Sequence, residues 1–302
     1  MMLSRSLRLA TLALVALVQI TAASLQAADK TACTVNLTTP WKVGQTYGIT
    51  TDSSETMHSR LAMSDKPGTP LKDQTQKRSV HMEADAQALA VFENGGLKKA
   101  AFTVKALRAT LDGQPEREIL PAGAKVVAES TGTDEKTYTV NGQPAATDVE
   151  AILKMAISLD TAEHNDQIIF GPKKPVAVGD SWQPETAVIL QTIGKSLGAA
   201  ASTTAVMKLN AVRGEGADQV ADISGNVTMT GLKPPLPPQF TTKVGTFQAQ
   251  LEGSIPATRH GKRTEKLDAS LHFVSEAAGP GGAAMVVTVD GTNKNVTVLV
   301  FP

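Results

Sequence analysis

Val80, Met82, Ala84, Ala86, Ala88, Ala90 and Phe92 fall on one parity of the chain, opposite His81, Glu83, Asp85 and Gln87. A period of two is that of a strand with one dry and one wet face. Glu93-Asn94-Gly95-Gly96 supplies a hairpin turn, and Phe102, Val104 and Ala106 carry the dry parity back along a return strand. A slip in parity near Leu107 predicts a bulge. Shorter strands follow over 125–129 and 136–140, the second closed by Asn141-Gly142. The period then changes. Val149, Ile152, Leu153, Ala156 and Ile157 recur at helical spacing and predict a packing helix near 148–159, with Thr147 as N-cap and Glu150 completing a capping box.

Beyond residue 200 the alternation returns. Ala205, Met207, Leu209 and Ala211 share one parity, as do Ala221, Ile223, Gly225, Val227 and Met229 after a turn at Gly214-Glu215-Gly216. The next pair of strands carries Phe247, Ala249, Leu251, Gly253 and Ile255, then Leu267, Ala269, Leu271 and Phe273. Two Val-rich strands, 285–289 and 296–301, are expected at the end, and the four prolines within 233–238 exclude that stretch from a sheet interior. One-sided alternation in consecutive strands means an antiparallel sheet whose dry face must be covered by a helix, another sheet or its own curl. The expected fold class is therefore mainly β: an antiparallel meander or curled half-barrel of roughly ten strands with one packed amphipathic helix.

Two octets organise this pattern. Pro175-Val176-Ala177-Val178-Gly179-Asp180-Ser181-Trp182 echoes Pro40-Trp41-Lys42-Val43-Gly44-Gln45-Thr46-Tyr47, with Pro, Val and Gly in register. Gln is answered by Asp, Thr by Ser and Tyr by Trp, which preserves turn-forming polarity and an aromatic plug but not a carboxylate. A shared catalytic role would not survive that exchange, whereas a turn does. Each octet is thus expected to open one of two related halves, 29–170 and 171–302, and Gly179→Val is expected to unfold the protein.

Residues 1–28 have the form of a secretory signal peptide: Arg5 and Arg8 precede an apolar run from Leu9 to Ile20, and cleavage is expected after Ala27 or Ala28. The expected location is the periplasm or cell envelope, with no transmembrane segment after signal removal. Asp29 and Lys30 separate Cys33 from the apolar run, which argues against lipidation, and a lone cysteine excludes an intramolecular disulfide. Cys33 is expected as a free thiol in a frayed segment. Without residues 1–28 the chain carries 27 basic and 29 acidic residues, a net charge of −2, and no long basic run, which excludes a nucleic-acid partner.

The strings that imitate catalytic motifs are weak. Gly194-Lys195-Ser196-Leu197-Gly198 matches the serine hydrolase elbow G-x-S-x-G, and a strand over 188–193 with Asp222 and then His260 or His272 would supply its context. The α/β pattern of a hydrolase is missing, however, and no catalytic residue is assigned. Met57-His58 and His81-Met82 suggest a soft-metal site, but the strand period puts His81 and Met82 on opposite faces, so no metal or cofactor is expected. Lys262 and Arg263, with Arg259 and His260, are expected as a solvated basic turn.

The second octet resembles the hallmark of an uncharacterised family of secreted bacterial β-rich proteins, centred on P-V-x-V-G-D-S-W. The early Val-Gly-Gln-Thr-Tyr, the strand ending near Leu111-Asp112-Gly113 and the helix before the second octet agree with it. The resemblance implies an exported protein without assigned activity. By architecture the pattern is also similar to periplasmic lipoprotein-carrier half-barrels, whose concave face holds acyl chains. The function expected is non-enzymatic binding of an apolar or lipid-like ligand on a concave sheet face, with an envelope scaffold that binds a protein partner as the alternative. Small dry-face residues (Ala84, Ala86, Ala88, Gly225, Ala249, Gly253) would leave a groove unfilled, and Met82, Phe102, Met229, Phe247 and Phe273 are its candidate lining.

Overall fold

The computed structural model describes residues 32–132 and 135–302; the expected signal sequence lies outside the described residues. In chain order the described elements are β1 (Thr46–Met63), β2 (Lys72–Val91), β3 (Leu97–Leu111), β4 (Arg117–Leu120), β5 (Lys125–Ser130), β6 (Lys136–Val140), β7 (Gln143–Pro144), α1 (Thr147–Ala156), α2 (Asp166–Phe170), β8 (Ser181–Trp182), α3 (Thr186–Leu197), β9 (Ser202–Arg213), β10 (Val220–Thr230), β11 (Thr241–Pro256), β12 (Gly261–Ala278) and β13 (Ala284–Phe301). Strands hold 57% of the residues and helices 11%, so the chain is mainly β, as its alternation predicts.

All thirteen strands join one antiparallel sheet that does not close into a barrel. The order across it is β8-β9-β10-β11-β12-β13-β1-β2-β3-β5-β6-β7, with β4 paired to β3 beside this path. Each run is a meander, and the two are joined head to tail: the last strand, β13, lies against the first, β1, from Gly48–Val300 to Met63–Met285. Inner-face residues line up across the seven central strands from β2 to β9. Val80, Ser53, Asn295, Leu267, Leu251, Gly225 and Met207 form one row, each opposite the next.

The two octets build the same turn. Gly44, at φ 86, donates its N–H to the Ala88 carbonyl, Ala88 donates back to Gln45, and the Gln45 N–H closes the turn on Lys42. Gly179, at φ 90, donates to the Leu209 carbonyl, Leu209 donates back to Asp180, and the Asp180 N–H closes on Ala177. A positive φ is required at both, which is why glycine recurs there. Their aromatic ends differ in use. Tyr47 is buried against Trp41 and Phe301, whereas the Trp182 indole Nε1 donates to the Phe170 carbonyl at 2.7 Å.

Several expectations are corrected. The helical stripe forms α1, but the helix begins one residue earlier than expected: Ala146 is the N-cap with no side-chain cap, and Thr147 is already helical. Glu150 pairs instead with Lys154 at 2.6 Å, one turn on. Three helices are present among the described residues rather than one. The stretch 188–193, which a serine elbow would need as a strand, lies within α3 because Ile189 and Leu190 pack on the sheet through a helical face. The two terminal Val-rich strands are one. Hydrogen bonding to β1 and β12 on both sides carries β13 through its polar middle, and Gly291 leaves room for the Met57 side chain, whose Cε would lie 3.2 Å from an added Cβ. The parity slip is a bulge at Lys105, two residues before Leu107, where Val104 and Ala106 face the consecutive Ala84 and Glu83. Cys33 is held rather than frayed, in a two-way backbone bridge with Val176.

Three buried clusters lie on the helix-bearing face. The first packs Ile152, Leu153, Ala156 and Ile157 of the α1 region onto β1, β2, β3 and β5. The second joins Val35 and Leu37 of the N-terminal segment to Val176, Met207, Leu209, Ile223 and Ile255. The third packs Ile189 of α3 against Ala205, Val227, Met229, Ala249 and Ala269.

Candidate functional site

The strands that leave space are the central ones. Between the end of α1, α2 and the inner faces of β9–β13 and β1 lies a cavity of about 440 Å³. Its wall includes Lys136 of β6 and Met207 of β9, nine strand positions apart, which a flat sheet would separate by about 43 Å. The sheet must therefore curl strongly around the cavity.

The lining divides by chemistry. Met155, Ile157, Phe170, Leu251, Leu267 and Ile223 make an apolar wall. Ser53, Asn293, Asn295 and Thr297, on the adjacent strands β1 and β13, make a polar floor, with Thr297 donating to Asn295 Oδ1 at 3.0 Å. At one end stands Arg263, only 7% exposed. Its Nη1 donates to the Leu37 carbonyl at 2.8 Å, its Nη2 to Asp166 Oδ2 at 2.8 Å, and its Nε to Glu265 Oε1. All three charged residues line the cavity. Asp166 keeps 47% of its side-chain area. The rest is covered within the cluster, which takes the carboxyl partly out of water. Removal from bulk water, followed by the nearby Glu265 charge, pushes the Asp166 carboxyl up to about 7 despite the Arg263 guanidinium.

Local sequence explains how the cluster is assembled. Asn165 caps α2 by accepting the Ile168 N–H, which presents Asp166 at the first turn. The N-terminal segment closes the same end: the Leu37 N–H donates to Gln167 Oε1 at 2.7 Å, and the Gln167 N–H donates to Thr38 Oγ1. Next to it, the Arg259 guanidinium sits 3.5 Å from the Trp41 ring centroid and donates to the Thr39 and Pro40 carbonyls. Burial lowers the Arg259 pKa to about 10. The basic turn expected in solvent is thus partly interior: Arg259 and Arg263 tie the β11–β12 hairpin to the first octet and to α2, while Lys262 and His260 stay exposed.

The five lining candidates occupy other places. Met82 and Phe102 are fully packed under α1, and Met229 is fully packed in the cluster under α3. Phe247 is partly buried against that third cluster, and Phe273 is half-buried on β12. None of the five lines the cavity. Of the small residues expected to leave a groove, Ala84, Ala86 and Ala88 are covered in the first cluster and Ala249 in the third. Gly225 is filled by the Met207 thioether, whose sulfur would lie 2.1 Å from an added Cβ, and only Gly253 lines the cavity. The residues missed were Asn293, Asn295, Ser53, Arg263, Glu265 and Asp166. Asn293 and Asn295 share one strand parity, which was the one signal available.

Ser196 lies near the end of α3, with helix rather than strand before it, so the chain has no strand-to-helix elbow there. His58 and His81 lie on the outer face, each 2.7 Å from an aspartate oxygen (Asp73 and Asp52), while Met57 and Met82 point inward. Among the described residues no group of three His, Cys, Asp or Glu side chains is placed to hold a metal, and no helix is long and apolar enough to cross a membrane.

No family model and no curated protein matches this chain. Among solved structures, one titled "Lipid-protein interactions in lipovitellin" aligns with 86% of the chain at 8% identity and a TM-score of 0.32. The alignment covers 25% of that longer chain.

Proposed function

We propose that this chain is an exported, non-enzymatic binding protein whose curled sheet holds a lipid-like ligand in the inner cavity. The observation that carries this reading is the cavity itself. At about 440 Å³ it falls within the roughly 300–1,000 Å³ of small-molecule sites, and it combines an apolar wall with a few convergent polar groups. The signal-like residues 1–28 support export. The identical turns at the heads of the two β runs are what a duplicated half would leave, with the halves meeting near residue 170. In the middle of an ordinary core, Asn293, Asn295 and Ser53 would be replaced by apolar side chains; a polar floor serves a ligand that is itself partly polar.

Native mass spectrometry of the protein purified from its own envelope tests this reading. A co-purifying mass of lipid size is expected. A clean apo mass together with a reproducible protein partner would instead establish the scaffold alternative.

A further inference from the structure

We propose that the cavity selects an amphiphile with a cationic head, such as a long-chain amine, over a carboxylate of the same chain length. This rests on the cavity being a ligand site, and it concerns the charged end of that site.

Two carboxylates and one guanidinium face the cavity there: Asp166, Glu265 and Arg263. Behind them Asp160 and Arg259 add one charge of each sign within electrostatic reach, so the cluster as a whole carries one excess negative charge when ionised. The rim does not cancel it. Lys154 is paired with Glu150 and Lys266 with Glu252, and Lys136 shares its surface depression with Glu135 and Glu150.

At this end an anionic head would meet Arg263, whose charge is already matched by Asp166 and Glu265. Each of its three guanidinium nitrogens already donates, to Glu265, Leu37 and Asp166. A fatty-acid carboxylate placed there would compete with two resident carboxylates and be repelled by both. The acceptor side has capacity to spare. Among the described residues Asp166 Oδ1 and Glu265 Oε2 accept no hydrogen bond, and the Asn293 and Asn295 side chains stand on the adjoining floor. A primary ammonium brings three donors and a positive charge, which is what this end lacks.

Isothermal titration of the mature chain at pH 8 with dodecylamine, dodecanol and dodecanoate, each below its micellar or solubility limit, tests the proposal. Dodecylamine is expected to bind at least tenfold more tightly than dodecanoate, with dodecanol between them. Glu265→Gln and Asp166→Asn should each reduce that ratio severalfold, chiefly by weakening the amine. Leu267→Trp, which fills the apolar wall, should weaken all three ligands together. Equal or tighter binding of dodecanoate would overturn the charge inference and leave the apolar site standing. No binding of any of the three would overturn the site itself, and undiminished binding to Leu267→Trp would place it elsewhere.

Discussion

Replacing Arg263 with methionine keeps an unbranched apolar stem and removes only the guanidinium. The side chain is 9% exposed and holds two carboxylates and the Leu37 carbonyl, so the variant strands two acids beside one another and orphans a backbone acceptor. Removing one partner of a buried ion pair costs about 3–5 kcal/mol. Asp166 and Glu265 keep 47% and 40% of their side-chain area, so screening favours the lower figure, about 3 kcal/mol. For a chain of this size that is a fall of roughly 6–12 °C in Tm at pH 8.

The pH dependence separates charge from packing. A carboxyl whose folded pKa is raised contributes stability that is fully present below its unfolded value, near 4, and lost as pH rises through the folded value. In the wild type Asp166 behaves this way, with the loss falling between about pH 4 and about pH 7. Without Arg263 the Asp166 carboxyl is raised further, so the loss on going from pH 5 to pH 8 is steeper. The deficit of Arg263→Met relative to the wild type should therefore be largest at pH 8 and shrink towards pH 5, and Asp166→Asn in the variant background should flatten it. Differential scanning fluorimetry across this range measures both. A Tm within about 2 °C of wild type at pH 8, or a deficit that does not change with pH, would refute the account of the cluster.

Two further perturbations probe the frame around the cavity. Gly44→Ala and Gly179→Ala should each cost about 1–2 kcal/mol, because an added Cβ meets nothing within 4 Å at either site and only the positive φ is penalised; denaturant unfolding that shows global loss for Gly179→Ala alone would refute the equivalence of the two turns. Leu153→Ala, at a fully buried position of α1, should cost about 2–5 kcal/mol, and a loss under about 1 kcal/mol by the same measurement would mean that α1 is not docked as described.

What was legible in the chain follows from periodicity. The dry parities of β2, β3, β9, β10, β11 and β12 and the helical stripe of α1 are local signals, since a strand or helix shows its buried face through spacing alone. The shared turn was legible too, because a positive φ selects glycine and leaves a repeated residue behind. The position of α3 was not: Ala187 to Ile193 is apolar at nearly every position apart from Gln191 and Thr192, so its length and hydrophobicity suit strand and helix alike.

The cavity belongs to tertiary structure. Arg263, Glu265, Asp166 and Leu37 are brought together across separations of up to 226 residues, and no spacing rule connects them. Arg263 reads as one cation of a turn until α2 and the N-terminal segment cover it. Asn293 and Asn295 read as a break between two strands until β1 and β12 supply hydrogen bonds on both sides and turn the break into a polar floor. Sequence alone determined which residues alternate, where the chain turns and that the fold is mainly β. Only the head-to-tail meeting of β13 with β1, and the curl that brings β6 towards β9, decided which of those faces is filled and which encloses space. The reason is physical: periodicity records how a segment meets its own face, whereas an enclosed volume depends on how distant segments meet each other.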